Sequence, residues 1–254
     1  MINTAKIWRL SASFGLVIGI WWATSGTIFV EEIVPAPPEV FKQFMDMVES
    51  REIFHHISAS ARRIAVGYVL GCSLGLFFGM LMGLTQLMKD VLTPPLEFFR
   101  NIPPIAMVPV VISFFGIGET GKYFIISYAT TIVMIINTAA GVSSTPRIRI
   151  RAAQCLGAQK MDIFFRIVMP SAWPYILTGL RIALGFAFTG IVAAEMLAAQ
   201  EGVGYLIMQS TNILEAKDMW IGFVLLGGFG LLTDQGLRAV IGKLARRHMI
   251  TLGR

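Results

Sequence analysis

Long uncharged runs of apolar residues, most of them near the length that crosses a bilayer, alternate with short charged connections along this 254-residue chain. Leu10 to Val30 holds no charged residue, exceeds the apolar core of a signal peptide and lacks a small-residue cleavage site before Glu31, so it is read as a retained first span. Uncharged stretches follow at Ile64 to Met88, Ile102 to Gly118 and Tyr123 to Pro146. A charged island comes next, and after it Trp173 to Ala199 is long enough to cross although it holds Arg181 and Glu195. Met219 to Thr233 is a last uncharged core that extends toward Leu237. The expected spans are about 10–30, 64–88, 102–118, 123–145, 173–199 and 219–237, within a single membrane domain covering 1–254. The third and sixth are short for lone helices and need tilt or protein neighbours. The fold class is all-α integral membrane, with about six transmembrane helices.

Two finer patterns add to this outline. Between the first and second spans, Pro35, Pro37 and Pro38 precede Val40, Phe41, Phe44, Met47 and Val48 at helical spacing, which predicts a proline-stiffened turn and a short interfacial helix. In the second span Gly67, Gly71, Gly75, Gly79 and Gly83 recur every four residues and form one slowly drifting stripe on a helix. Missing side chains let another helix come close and gain contact that lipid does not offer, inside the bundle or at a seam between two copies. The competing reading is a stripe that lines a substrate path.

Composition agrees with lipid as the main solvent. Hydrophobic residues make up 55% of the chain, charged residues 14%, and the mean hydropathy is +0.70, against about 25% charged in an average soluble domain. The net charge of +6 does not point to nucleic acid, because the basic residues flank apolar spans and form no stripe on a soluble face. They set orientation instead. With the amino terminus inside, Lys6, Arg9, Lys89, Arg100, the basic residues of the island and those from Arg238 to Arg254 all face the cytoplasm, and they are most of the 21 Lys and Arg. Arg62, Arg63, Lys122 and Lys217 fall outside. Cys72 lies in mid-span and Cys155 in the island, which speaks against a mutual disulfide.

The island, 146–170, runs P-R-I-R-I-R-A-A-Q-C-L-G-A-Q-K-M-D-I-F-F-R-I-V-M-P. Pro146 suits a helix start, Gly157 permits the positive φ of a helix stop, and Met161, Phe164, Phe165 and Val168 follow at the spacing of a second, amphipathic helix. That helix is expected to lie along the membrane surface until Pro170 breaks it. Ala152 and Ala153 are small enough to enter a groove on a soluble partner, so a push there would move the spans.

Ala152, Ala153, Gly157, Ile167 and Pro170 stand at the spacing A-A-x3-G-x9-I-x-x-P, which resembles the cytoplasmic EAA loop of ABC importer permeases. R-N-I-P-P at 100–104, F-G-I-G-E-T-G-K at 115–122, T-G-L-R-I-A-L-G at 178–185, A-A-E-M-L at 193–197 and G-V-G-Y-L at 202–206 extend the likeness to the nitrate, sulfonate and taurine branch of that family, over most of the chain from about Pro35 onward. The resemblance implies a type I importer fold in the bacterial cytoplasmic (inner) membrane, with both termini cytoplasmic. It implies a second permease copy, two cytoplasmic ABC ATPase subunits docked on the loops, and an extracytoplasmic binding protein. ATP and magnesium would be bound by the ATPase, and this chain would carry no cofactor and no catalysis. Arg151, where the generic motif has Glu, joins Ala152, Ala153, Gly157, Ile167 and Pro170 as the coupling set. R-I-R-A-A-Q-C-L-G-A is similar to taurine permeases, which favours taurine or another small sulfonate as the solute.

Other candidate chemistry is sparse. Gly116, Gly121 and Lys122 nearly complete a phosphate-binding loop, but Tyr123 stands where Ser or Thr would hold magnesium, and an external turn between spans is the expectation. His55 and His56 are adjacent and point apart on a helix, while His248 falls on the other side of the membrane, so no metal-ligand set forms. No nucleophile, base and oxyanion arrangement is readable. Glu195 is an ionisable group within a span, read as a structural pair or a gate; Ser113, Asn137 and Thr189 are polar candidates for lining the path or for bonds between helices. An ion-coupled secondary transporter would ask for more buried carboxylates and broken helices. A membrane anchor of another complex would not need the spacing of the island.

Overall fold

The computed structural model describes the backbone of residues 4–252 and the side chains of Trp8, residues 12–196 and residues 199–243. Lys6, Arg9, Leu10, Leu197, Arg246, Arg247, His248 and Arg254, used above for orientation, spans, motifs or ligands, lie outside the residues described with side chains. The described backbone is almost wholly helical, with one isolated bridge between Ser25 and Phe29.

Helix α1 covers Thr4–Thr24, with an apolar stretch of Ala12–Thr24, and most of its described side chains are exposed. Helix α1 therefore ends six residues before the expected end at Val30 and gives way to turns at Ser25. Those turns lead to α2, Pro37–Glu49, which begins on its prolines and buries Val40 and Met47. Trp21 ties the two segments together by donating to the Pro35 carbonyl at 3.1 Å and stacking on Trp220 at 4.9 Å.

Helix α3, Glu52–Leu84, starts about three turns before the expected span at Ile64. It ends at Thr85, where α4, Gln86–Arg100, turns away with none of its residues buried. Helix α5, Pro104–Phe115, meets α4 at a 99° bend. Pro103 and Pro104 account for the break, since a residue before proline is pushed out of the helical region. The third expected span, 102–118, is thus the shorter arm of a bent pair, and α4 was not anticipated at all.

Helix α6, Glu119–Ser143, is the most enclosed of the long helices and forms the centre of the bundle. The glycine stripe of α3 lies directly on it. A Cβ added at Gly67 would meet Ile126 at 2.5 Å, at Gly79 Thr138 at 2.6 Å and at Gly83 Val142 at 2.5 Å, so the partner advances in step with the glycine and the helices run parallel. Ser127 and Thr131 donate to the Gly67 and Gly71 carbonyls, each at 3.1 Å. The stripe is therefore an internal seam of one chain.

Helix α7, Arg147–Cys155, is followed by α8, Lys160–Ile163, a π-helical turn at Phe164–Val168, and α9, Met169–Ala198. Pro170 does not break the chain as expected. The run from Lys160 to Met196 is one 37-residue span candidate, not a surface helix followed by a separate span. The physical reason is the widened turn, in which the Met169 N–H bonds to the Phe164 carbonyl, leaving room for a proline ring that would press on a regular turn. Helix α9 runs antiparallel to α6, with Gly141 against Ala172 and Tyr175, Gly179 against Asn137, and Gly190 against Ile126. Helices α10, Val203–Asn212, and α11, Ala216–Leu252, complete the order, with Leu206 and Ile221 in a core shared with Val40, Met47 and Ile53.

Candidate functional site

Two polar regions interrupt this apolar bundle, at opposite ends of α9. The first gathers where α3 and α6 begin and α9 ends. His56, Ser60 and Arg63 continue the face of α3 that carries the glycines, and all three are buried. The Arg63 side chain is only 1% exposed, and the Glu195 carboxylate of α9 is buried to the same degree. Arg63 spends all its donors: Nε and Nη2 on the Glu119 carboxylate at 2.8 and 2.7 Å, Nη1 on Glu195 at 2.9 Å and the Glu201 carbonyl at 2.7 Å, and Nη2 also on the Glu201 carboxylate at 3.1 Å. Lys122, nearly buried one turn into α6, donates to Glu119 at 2.7 Å.

Glu195 is satisfied by three residues from two helices. Ser60 Oγ donates to it at 2.9 Å, Arg63 reaches it from the same helix, and the Gly204 N–H donates at 2.9 Å from the first turn of α10. The helix start is fixed further by the Val203 N–H donating to Ser60 Oγ at 2.9 Å and the Gly202 N–H to His56 Nδ1 at 3.1 Å. Gly202 has φ +119 and sits against the Glu195 carboxylate, where any side chain would collide. His55 Nε2 lies 2.7 Å from Glu201, so the adjacent histidines do not diverge completely: both reach the 199–202 turn. A cleft of about 510 Å³ opens beside the cluster, lined by His55, Arg63, Ile117, Glu119, Lys122, Gln200 and Glu201. The near phosphate loop resolves into ordinary parts, since Gly116 caps α5 with φ +70 and Lys122 is held by Glu119.

The second region is the island. Arg149, Ala152, Ala153 and Leu156 form one stripe of α7, facing Arg166, Ile167, Pro170 and Ser171 across a cleft of about 460 Å³. Ile150, Ala153 and Ala158 pack on the bundle core with Phe164 and Ile167, so the loop is anchored and not merely tethered. Gly157, with φ +80, makes the turn and has open space around it. Arg151 and Ala152 are exposed, and Leu156 is 88% exposed.

The remaining candidates separate. Ser113 on α5 and Thr189 on α9 are exposed and bond only to carbonyls of their own helices, Pro109 and Gly185. Asn137 is half-buried, bonds to the Val133 carbonyl and packs on Gly179. Arg181, inside the span of α9, pairs with Asp234 of α11 at 3.0 Å. The partners of Glu195, namely Ser60, Arg63 and the Gly204 N–H, and the further carboxylates on Arg63, Glu119 and Glu201, were not picked out from sequence. The signal was there, because His56, Ser60 and Arg63 precede Gly67 at helical spacing on one face.

Solved structures place this architecture among ABC-transporter permeases. A chain of the MetNI methionine ABC transporter superposes with a TM-score of 0.60 at 21% identity, covering 74% of this chain and 92% of that one. An amino acid ABC transporter chain gives 0.60 at 16% identity, covering 80% and 98%. The chain belongs to the family described as the binding-protein-dependent transport system inner membrane component, whose model matches residues 71–243, and it is accordingly a multi-pass membrane permease. Similar proteins include a probable ABC transporter permease of Brucella melitensis, 36% identical over 92% of this chain and 94% of that protein. The taurine transport system permease protein TauC of Escherichia coli is 32% identical over 95% and 92%. The nitrate import permease protein NrtB of Leptolyngbya laminosa is 31% identical over 92% and 85%.

Proposed function

We propose that the chain is the membrane subunit of an ATP-driven importer, in which two copies form the pathway, two ABC ATPase subunits dock on the 146–170 loops, and an external binding protein delivers the solute. The observation that carries this reading is the construction of the island: a helix that exposes Ala152 among arginines, a glycine turn, and then a helix that continues through the whole bundle. Force applied at Ala152 and Ala153 has a packed route into the core through Ile150 and Ile167. Arg151, Gly157 and Pro170 complete the coupling set. The island faces the cytoplasm in this reading, as do both termini, and the Arg63 cluster faces outward.

The solute is a small anion or zwitterion, with taurine or an alkanesulfonate favoured by the island sequence and by the relatives named for taurine and nitrate. Ser113 and Thr189, exposed on α5 and α9, are the candidates for contact with it. Glu195 is assigned to holding the bundle closed, because Ser60 and Arg63 of α3 bond to it, and Asn137 to packing between helices, because its side chain sits against Gly179 of α9.

The test is uptake of labelled taurine by proteoliposomes containing this chain with its co-purifying ATPase and binding protein. Uptake should require ATP at the island side and binding protein at the other. Ala153→Glu and Gly157→Glu should each lose the ATPase and reduce uptake to background while the chain still inserts. Uptake that needs an ion gradient and no ATP would replace this reading with secondary transport.

A further inference from the structure

The surface that α7 offers is strongly one-signed. From Arg147 to Arg166 the chain carries Arg147, Arg149, Arg151, Lys160 and Arg166, and its one carboxylate is Asp162. Asp162 is already engaged by Arg166 at 3.5 Å. Arg147, Arg149 and Arg151 are all exposed, and none has an ion-pair partner among the described residues. Arg147 and Arg151 are one turn apart on the same face, and Arg149 lines the cleft beside Ala152 and Ala153. In the midst of this charge stand Ile148, 73% exposed, and Leu156, 88% exposed.

A helix start is a poor place for three cations, since the helix dipole already makes that end positive. Nothing among the described residues offsets the arrangement, so a partner is the natural source of the compensation. An exposed leucine at the end of a helix that carries unpaired guanidinium groups fits an apolar hollow with an acidic flank, and guanidinium favours carboxylates that it can bridge with two hydrogen bonds.

We infer that the protein surface receiving α7 is acidic, with carboxylates opposite Arg147, Arg149 and Arg151 around an apolar hollow for Leu156. This rests on the proposal that an ATPase docks at the island, and it specifies the chemistry of that ATPase's groove. Charge then sets which ATPase is accepted, because a groove with a basic rim would meet three guanidinium groups at close range.

The experiment uses the full-length chain in mild detergent with the ATPase that co-purifies with it. Retention is measured between low and high NaCl for the native chain, Arg151→Gln, Arg151→Glu and Leu156→Ala, with size-exclusion profiles confirming that each variant stays folded. Affinity should fall with salt, drop about tenfold for Arg151→Glu and less for Arg151→Gln. Leu156→Ala should weaken binding without changing its salt dependence. An ATPase that binds the native chain but holds Arg151→Glu equally or more tightly, with no response to salt, overturns the acidic groove and leaves the importer reading intact. If the native chain retains no ATPase under any of these conditions, both fall together.

Discussion

Arg63→Ala is expected to be among the most damaging single substitutions in this chain, destabilising it by about 3–5 kcal/mol, the usual range for removing one partner of a buried ion pair. The reason is the number of groups that depend on one guanidinium. Its removal leaves the Glu195 carboxylate buried with only Ser60 and the Gly204 N–H, and leaves Glu119 and Glu201 bridged only by the exposed Arg62, at 3.7 and 3.8 Å. Lys122 keeps Glu119 occupied, but it cannot reach across to α9 in its place, because its bond is within the first turn of α6. The loss should appear as a lower thermal midpoint in detergent and as faster proteolysis in the 199–202 turn, which hangs on the cluster. Arg63→Lys keeps a charge without the forked donors and should fall between the two. A midpoint for Arg63→Ala close to that of the native protein would show that the cluster does not hold the three helices together.

Gly71→Leu is the second large expectation, and its cause is steric. A Cβ at Gly71 would overlap the Thr130 hydroxyl and come within 2.6 Å of the Ser127 carbonyl and 2.9 Å of the Ser127 Cα. A side-chain end could swing aside, but the α6 backbone could move only by separating the two helices along their seam. That separation also costs the bonds from Ser127 and Thr131 to the glycine carbonyls. Overpacking costs about 1–3 kcal/mol where the surroundings can adjust, and more is expected here because backbone is the obstacle. The measurement is the yield of monodisperse protein after extraction, beside Gly236→Leu as a control. Gly236 has nothing within 4 Å, so its substitution should leave the yield unchanged. Equal yields for the two variants would remove the seam from the account of stability.

The long apolar helices were legible because lipid demands long apolar runs, and α6 and α9 stand where such runs occur. Segments that meet protein or interface were harder to see. Helix α4 has no uncharged run longer than the six residues from Val91 to Leu96 and no buried residue, so it left no span-length hydropathy signal. Helix α10 does show Val203, Leu206, Ile207 and Ser210 at helical spacing, but in a stretch too short to be weighed as a span. Starting the second span at Ile64 had the largest effect. It assigned Ser60 and Arg63 to a loop and concealed that they continue the glycine face of α3. Glu195 was recognisable as an ionisable group within a span, yet its partners sit on α3 and α10, and the carboxylates that share Arg63 with it sit on α6 and in the 199–202 turn, so that only the fold brings those together. At the island the helix and the glycine turn were readable from spacing, but of Met161, Phe164, Phe165 and Val168 only Phe164 and Val168 pack on the core, Met161 and Phe165 being exposed, and the continuity through Pro170 depended on a local widening of the helix that composition does not announce.

That continuity has a mechanical consequence. The run from Lys160 to Met196 contains 37 residues, roughly 55 Å of rod at 1.5 Å per residue, and it begins beside Gly157 and carries Glu195 in its final turns. A rotation of a few degrees about a point near its middle would shift its two ends by about an ångström or more in opposite directions. Hydrogen bonds of the kind that hold Glu195 weaken steeply over such a distance. The π-helical turn at Phe164–Val168 is the one irregular joint in the rod, and it lies close to the end where force would enter. In the proposed importer, stiffness at that joint would set the gain of the lever: a rigid turn would pass motion to the Arg63 cluster, and a yielding one would absorb it before it reaches the membrane.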